Sequence, residues 1–198
     1  MMTGKNHFAT PVFQDDIPGF AAQNEKLYAL VKRLQEEDPE GARRSNQGGW
    51  HSSEKIDVRE LPEVADVKKV ILEAGKVVAA GLGFEGIGMF LASAWFVVSP
   101  AGAANARHLH PQSFLSGAYY VRAPAGSSPI CFHDPRGAKI YATPTSPSWR
   151  GTPYTADVVK YSVEEGRLVI FPGWLEHSVP PHQADGERVV LSFNFVAF

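Results

Sequence analysis

One cysteine, Cys131, stands alone in a chain of 198 residues. An intrachain disulfide framework and a cysteine-rich zinc site are both excluded. Cys131, set between Ile130 and Phe132, reads as a small buried apolar residue. An excess of one charge is missing as well. Nineteen Lys and Arg against 21 Asp and Glu leave a formal net charge of −2, and no basic run appears, so neither nucleic acid nor an anionic membrane is expected as a partner. No apolar stretch is long enough to span a bilayer; the longest, near residues 89–98, is interrupted by Ser93. The opening MMTGKNHFATPVF lacks an apolar run behind a basic start, so no secretory signal is expected and the expected location is cytoplasmic. Gly83, Gly86 and Gly88 are not followed by the Lys-Ser/Thr of a phosphate loop.

What is present is ample apolar content, 44% of residues, enough for one domain with a real core over residues 1–198. Residues up to about 88 carry the helical signals. Asn24 can cap a first helix, and Leu27, Leu30, Val31 and Leu34 follow a helical stripe that Asp38-Pro39-Glu40-Gly41 stops. A second helix is expected from about Pro62 to Ala80 on the stripe Val64, Val67, Ile71, Ala74 and Val78, with Gly81 closing it in a left-handed conformation. These apolar stripes suit a homodimer. Between the helices, SNQGGWHS (45–52) reads as a glycine-centred loop anchored by one Trp, with His51 structural.

From about residue 89 to 198 the texture changes to short β-type runs between Pro and Gly: 90–98, 115–121, 129–132, 139–141, 157–161, 167–171 and 188–195, with a further edge strand at 10–13. Many short strands with such turns predict a sandwich, barrel or jelly roll.

The stretch ARHLHPQSFLSGAYYV (106–121) organises the functional reading. His108 and His110 are two residues apart at the mouth of a predicted strand, where i and i+2 share a face. His177 can supply a third imidazole just before the last strand, which carries Arg188, Val190 and Ser192 on one face. Three neutral imidazoles bind iron, zinc, copper or nickel. A site without a carboxylate ligand is one unit more positive than the usual two-His-one-carboxylate triad, and a chelating dianionic oxo-acid would compensate. Arg188 suits the far carboxylate of such an acid. Ser192 and one of Tyr119 or Tyr120 can add a hydroxyl donor; the strand register after Pro111 does not choose between the tyrosines. Because His must be unprotonated to bind metal, affinity is expected to fall below about pH 6.5. Asp134 in HDPR is a fallback carboxylate, though it better fits a turn before Pro135. Phe114, Phe171 and Trp174 are candidate apolar walls, and residues 125–128 and 143–154 candidate substrate loops, the second of lid length.

Read together, SNQGGWHS, HLHPQSFLSGAYYV, CFHDPR and LVIFPGWLEHSVPPHQADGERVVLSFNF resemble the 2-oxoglutarate- and iron(II)-dependent oxygenases, closest to a small bacterial and phage group. The resemblance runs from about residue 10 to 198. It implies a mainly β, double-stranded β-helix (cupin-like jelly roll) with N-terminal helices packed on it. It also implies Fe(II) held at His108, His110 and His177, and 2-oxoglutarate as cosubstrate with its distal carboxylate on Arg188. The implied reaction couples oxidative decarboxylation to succinate with hydroxylation of a substrate the sequence does not identify. The departure from the wider superfamily is His110, where Asp or Glu is usual. Two other readings stay open: a cupin-type three-His metalloenzyme that does not use 2-oxoglutarate, and a non-catalytic jelly-roll binding protein.

Overall fold

The computed structural model describes residue 3 and residues 7–137, 151–152 and 154–198. In chain order the elements are β1 (Phe13–Asp16), α1 (Ala21–Glu37), β2 (Asn46–Gln47), β3 (Trp50–His51), α2 (Ala65–Gly81), β4 (Met89–Ser99), β5 (Ala104–His108), β6 (Leu115–Arg122), β7 (Ile130–His133), β8 (Val158–Tyr161), β9 (Arg167–Pro172), β10 (His177–Val179) and β11 (Arg188–Ala197). Two antiparallel sheets result. The larger has the order β1-β9-β6-β11-β4-β3 and the smaller β2-β5-β10-β7-β8. This is a jelly roll, as the short-strand pattern predicts.

Strand alternation sorts the larger sheet into two faces. Leu115, Tyr119, Val121, Leu168, Ile170, Val189, Leu191, Phe193 and Phe195 form the outer face, and the apolar stripes of both helices close over it in one core. Ala118, Tyr120, Val169, Phe171 and Val190 form the inner face and meet Ile130, Phe132 and Leu175 from the smaller sheet's side. The N-terminal part also contributes strands. Asn46 pairs with Asn105 in one sheet, and Trp50 with Val98 in the other. The segment 45–52 is therefore a short link stitched at one end to each sheet rather than a free loop.

Several local expectations are corrected. Helix α1 begins at Ala21 with no side-chain cap. Asn24 lies inside it, buried, accepting from the Tyr119 hydroxyl at 2.7 Å and donating to Glu165 at 3.3 Å. A tertiary partner thus claims the side chain that would otherwise cap the helix. A 3-10 turn over Pro62–Val64 precedes α2, and the left-handed glycine behind that helix is Gly83 (φ +85°), not Gly81. Strand β5 ends at His108, so His110 lies in the following turn. The two imidazoles sit at a strand's exit, and alternation along one strand is not what unites them. The strand expected at 139–141 and most of the lid expected at 143–154 fall outside the described residues. Among the described residues no helix is long and apolar enough to cross a membrane.

Candidate metal and cosubstrate centre

The inner face of the larger sheet is ordered in rows, because residues opposite one another in antiparallel register share a face. Arg188 pairs with Ser99; Val190 with Val97 and Tyr120; Ser192 with Trp95 and Ala118; Asn194 with Ser93 and Ser116. The last row is a hydrogen-bonded ladder: the Ser116 hydroxyl donates to Asn194 Oδ1 at 2.8 Å, and Asn194 Nδ2 donates to Ser93 Oγ at 3.1 Å. All of these residues except Ser99 and Ser116 line a cavity of about 910 Å³ between the sheets, which His108, His110 and His177 also line.

Arg188 is 2% exposed. Its Nη1 donates to the Ser128 carbonyl and its Nη2 to Ser99 Oγ, both at 3.1 Å, while Nε is buried without a partner. A guanidinium held by two arms with a third donor unspent is prepared for an anion, since an orphaned buried donor is costly to leave unmet. Burial lowers its pKa, an effect opposed in part by Tyr120. The Tyr120 hydroxyl is pushed up to about 12 by burial, against the pull of Arg188 and Arg167, so it stays a neutral donor. Tyr119 is one residue out of phase. It faces the helices, edge-on to Phe20 at 6.3 Å, and its hydroxyl is spent on Asn24. The structure thus brings Tyr120 and Ser192 to the cavity with Arg188 and leaves Tyr119 in the core.

The histidines converge from three places in the fold. His108 ends β5 directly opposite His177 on β10. His110 reaches them because its backbone N–H donates to the Gly173 carbonyl at 2.9 Å. A Cβ on Gly173 would collide with the Ser113 carbonyl, so this close approach requires glycine. The turn also holds Gln112 at φ +65°. One ligand atom from each of the three histidines lies within 4.8 Å of the others, the spacing of a metal cluster. Burial lowers all three pKa values: His110 to about 4, with repulsion from His108 adding to the shift, and His177 to about 3, with further repulsion from His108 and His110. Each is therefore neutral at pH 7, the form that binds metal. The onset of proton competition expected at pH 6.5 is accordingly moved to lower pH.

Tautomers follow from the partners. His108 Nδ1 lies 2.8 Å from the Ala106 carbonyl and His177 Nδ1 lies 3.0 Å from that of Leu175. A carbonyl only accepts, so both Nδ1 atoms carry the proton and each Nε2 presents a lone pair, that of His108 accepting from the Ser45 hydroxyl until a cation takes it. Ser45 Oγ approaches His108 Nε2 at 3.3 Å and itself accepts from Asn105 at 3.3 Å. Asp134 is not in the cluster; its carboxylate accepts from Arg136. Of the expected walls, Phe171 lies edge-on to His177 at 4.7 Å. Phe114 instead packs against Phe84, and Trp174 is 52% exposed.

Of two further cavity residues, sequence reasoning misses Trp95 and reads His51 only as structural. Trp95 lies 5.7 Å from His110, ring to ring, and His51 stacks on Trp95 at 5.7 Å and 11°. No spacing rule links positions 51, 95 and 110; the β3–β4 pairing brings the first two together and the turn after β5 brings the third.

A family model described as "Putative 2OG-Fe(II) oxygenase" matches residues 93–194. The chain belongs to this family. It is accordingly an enzyme, an oxygenase of Fe(II) and 2-oxoglutarate, and the neutral three-His cluster and the unspent Arg188 donor fit both groups. Solved structures share the fold. A prolyl-4-hydroxylase from Pseudomonas putida is 19% identical with a TM-score of 0.65, over 94% of this chain and 92% of that one. HygX from Streptomyces hygroscopicus, with nickel and 2-oxoglutarate bound, is 13% identical with a TM-score of 0.60, over 94% and 82%. A Trichoplax adhaerens prolyl hydroxylase, in complex with a hypoxia inducible factor peptide fragment, is 13% identical with a TM-score of 0.60, over 93% and 83%. No curated protein matches the sequence.

Proposed function

We propose that His108, His110 and His177 hold the Fe(II) of this oxygenase, and that Arg188, with Ser192 and Tyr120, holds the distal carboxylate of 2-oxoglutarate. The observation that carries this reading is the buried, unpartnered Nε of Arg188 in the same cavity as the three clustered imidazoles. Three neutral ligands leave the full dipositive charge on the metal, and the dianionic cosubstrate offsets it. The bound iron supplies dioxygen activation at the expense of 2-oxoglutarate. The chain's residues bind, orient and exclude water: Nδ1 bonds fix two imidazoles, burial keeps all three neutral, and Arg188 sets the cosubstrate's direction. Hydroxylation of a substrate carbon is the outcome we assign.

Residues 1–198 are proposed to act as one domain, the helical part to about residue 88 serving as backing for the sheet. A cytoplasmic location and a homodimer belong to the same proposal; the helix stripes expected to suit a homodimer are buried against the larger sheet, so its support is the exposed Val77, Phe84, Phe90 and Phe198.

The test is aerobic incubation of purified, untagged protein with Fe(II) and 2-oxoglutarate against a substrate panel, following succinate. Iron-dependent succinate release that Arg188→Met suppresses is the expected result. Retained metal binding with no measurable 2-oxoglutarate affinity would favour a three-His metalloenzyme of another kind.

A further inference from the structure

Two of the three clustered imidazoles are anchored by hydrogen bonds and one is not. His108 and His177 each donate Nδ1–H to a backbone carbonyl two residues upstream. Among the described residues the His110 ring has no hydrogen-bond partner, although its backbone is pinned at both N–H and carbonyl, to Gly173 and Ser113. A ligating imidazole without a bond to its second nitrogen can turn about its own axis, which misdirects the lone pair. Ring contacts are what remain. Two of these are the other imidazoles, His177 at 5.1 Å and 21° and His108 at 5.2 Å and 72°. The third is Trp95, at 5.7 Å and 42°.

We propose that Trp95 is the positioning residue for His110, doing by ring contact what the Ala106 and Leu175 carbonyls do for the other two imidazoles. The proposal rests on the reading that His110 is a metal ligand. Trp95 can serve because it is itself fixed. It stands opposite Ser192 on the inner face of β4, and His51, opposite Val97 two residues along, is its diagonal cross-strand neighbour. His51 stacks nearly parallel on the indole, and its own ring is tied by Nδ1 to the Ser52 carbonyl at 2.7 Å. Constraint therefore runs from the link 45–52 through His51 and Trp95 to His110, and this assigns SNQGGWHS a place in the centre. An imidazole polarised by a dication is electron-poor, so the indole π-system also attracts it in the metal-bound state.

The test uses the full chain and Co(II) alone, read by titration calorimetry and by the visible ligand-field bands. Trp95→Leu is expected to weaken Co(II) binding roughly tenfold or more and to alter the bands, while Trp95→Phe, which keeps a ring, restores both most of the way. On a His110→Ala background, Trp95→Leu is expected to add nothing. A merely structural Trp95 would lower the melting temperature and leave the bands of the folded fraction unchanged. Should Trp95→Leu fail to fold, His51→Ala removes the backing and is expected to shift the bands in the same direction. Unchanged bands and affinity in the folded Trp95→Leu protein, or in His51→Ala where only that variant folds, overturn the proposal. A wild type that fails to bind Co(II), or a His110→Ala protein that binds it as tightly as wild type, overturns instead the ligand reading beneath it.

Discussion

His108 and His177 stand directly opposite each other on neighbouring antiparallel strands, with ring centroids 4.3 Å apart and both Nδ1 protons spent on backbone carbonyls. Their lone pairs are thereby aimed by main chain, which side-chain substitution nearby hardly disturbs. His108→Ala and His177→Ala are each expected to abolish measurable Fe(II) or Co(II) binding while the protein keeps its fold. Calorimetry and circular dichroism together check this.

At the other side of the cavity, Arg188→Met removes the donor with the unmet Nε. A charge-assisted pair of this kind contributes about 1.5–3 kcal/mol, so 2-oxoglutarate binding is expected to weaken roughly 10- to 100-fold. Metal affinity in the absence of 2-oxoglutarate should stay as in wild type. Equilibrium titration of the two ligands separately distinguishes the effects.

The neighbouring tyrosines are expected to part company. Tyr119→Phe breaks a buried bond to Asn24 and should cost about 1–3 kcal/mol of stability, without changing 2-oxoglutarate affinity. Tyr120→Phe should leave the melting temperature nearly unchanged and weaken 2-oxoglutarate binding severalfold, about 1 kcal/mol. Thermal melts and cosubstrate titrations on the same two variants decide it.

Acid should loosen the metal-free protein earlier than its carboxylates alone would. The pKa values of His110 and His177 are lowered in the folded chain to about 4 and about 3, against 6.5 for an unperturbed imidazole. Between those limits the unfolded chain holds protons that the folded chain refuses, so stability is present above about pH 6.5 and declines as pH falls toward 4. Denaturant melts from pH 7 to 4 should show that decline. His177→Leu, which removes the most strongly shifted group, should flatten it. Proton competition for Co(II) should set in below the pH 6.5 expected of unperturbed imidazoles, since all three ligands are shifted down.

The sequence disclosed most of the centre because period two survives translation into a sheet. Arg188 and Ser192 share a face whatever their strand pairs with, and the HxH spacing advertises a cluster even though the strand stops at His108. What stayed hidden depends on partners. Tyr119 and Tyr120 are chemically equivalent until the helices choose a face of β6 to cover, and they cover the one carrying Leu115 and Val121. Asn24 looked like a cap because nothing in its neighbourhood announces Tyr119, ninety-five positions away. Trp95 and His51 meet across β3 and β4, a two-residue strand too short to leave a periodic trace.

The double attachment of residues 45–52 has a mechanical corollary. With Asn46 sewn to one sheet and Trp50 to the other, the gap between the sheets on that side is spanned by main chain through Gly48 and Gly49, and its width is a matter of loop length. Lengthening that clasp by a residue would let the walls spread, change the girth of molecule admitted, and carry the imidazoles of the smaller sheet away from Arg188 on the larger.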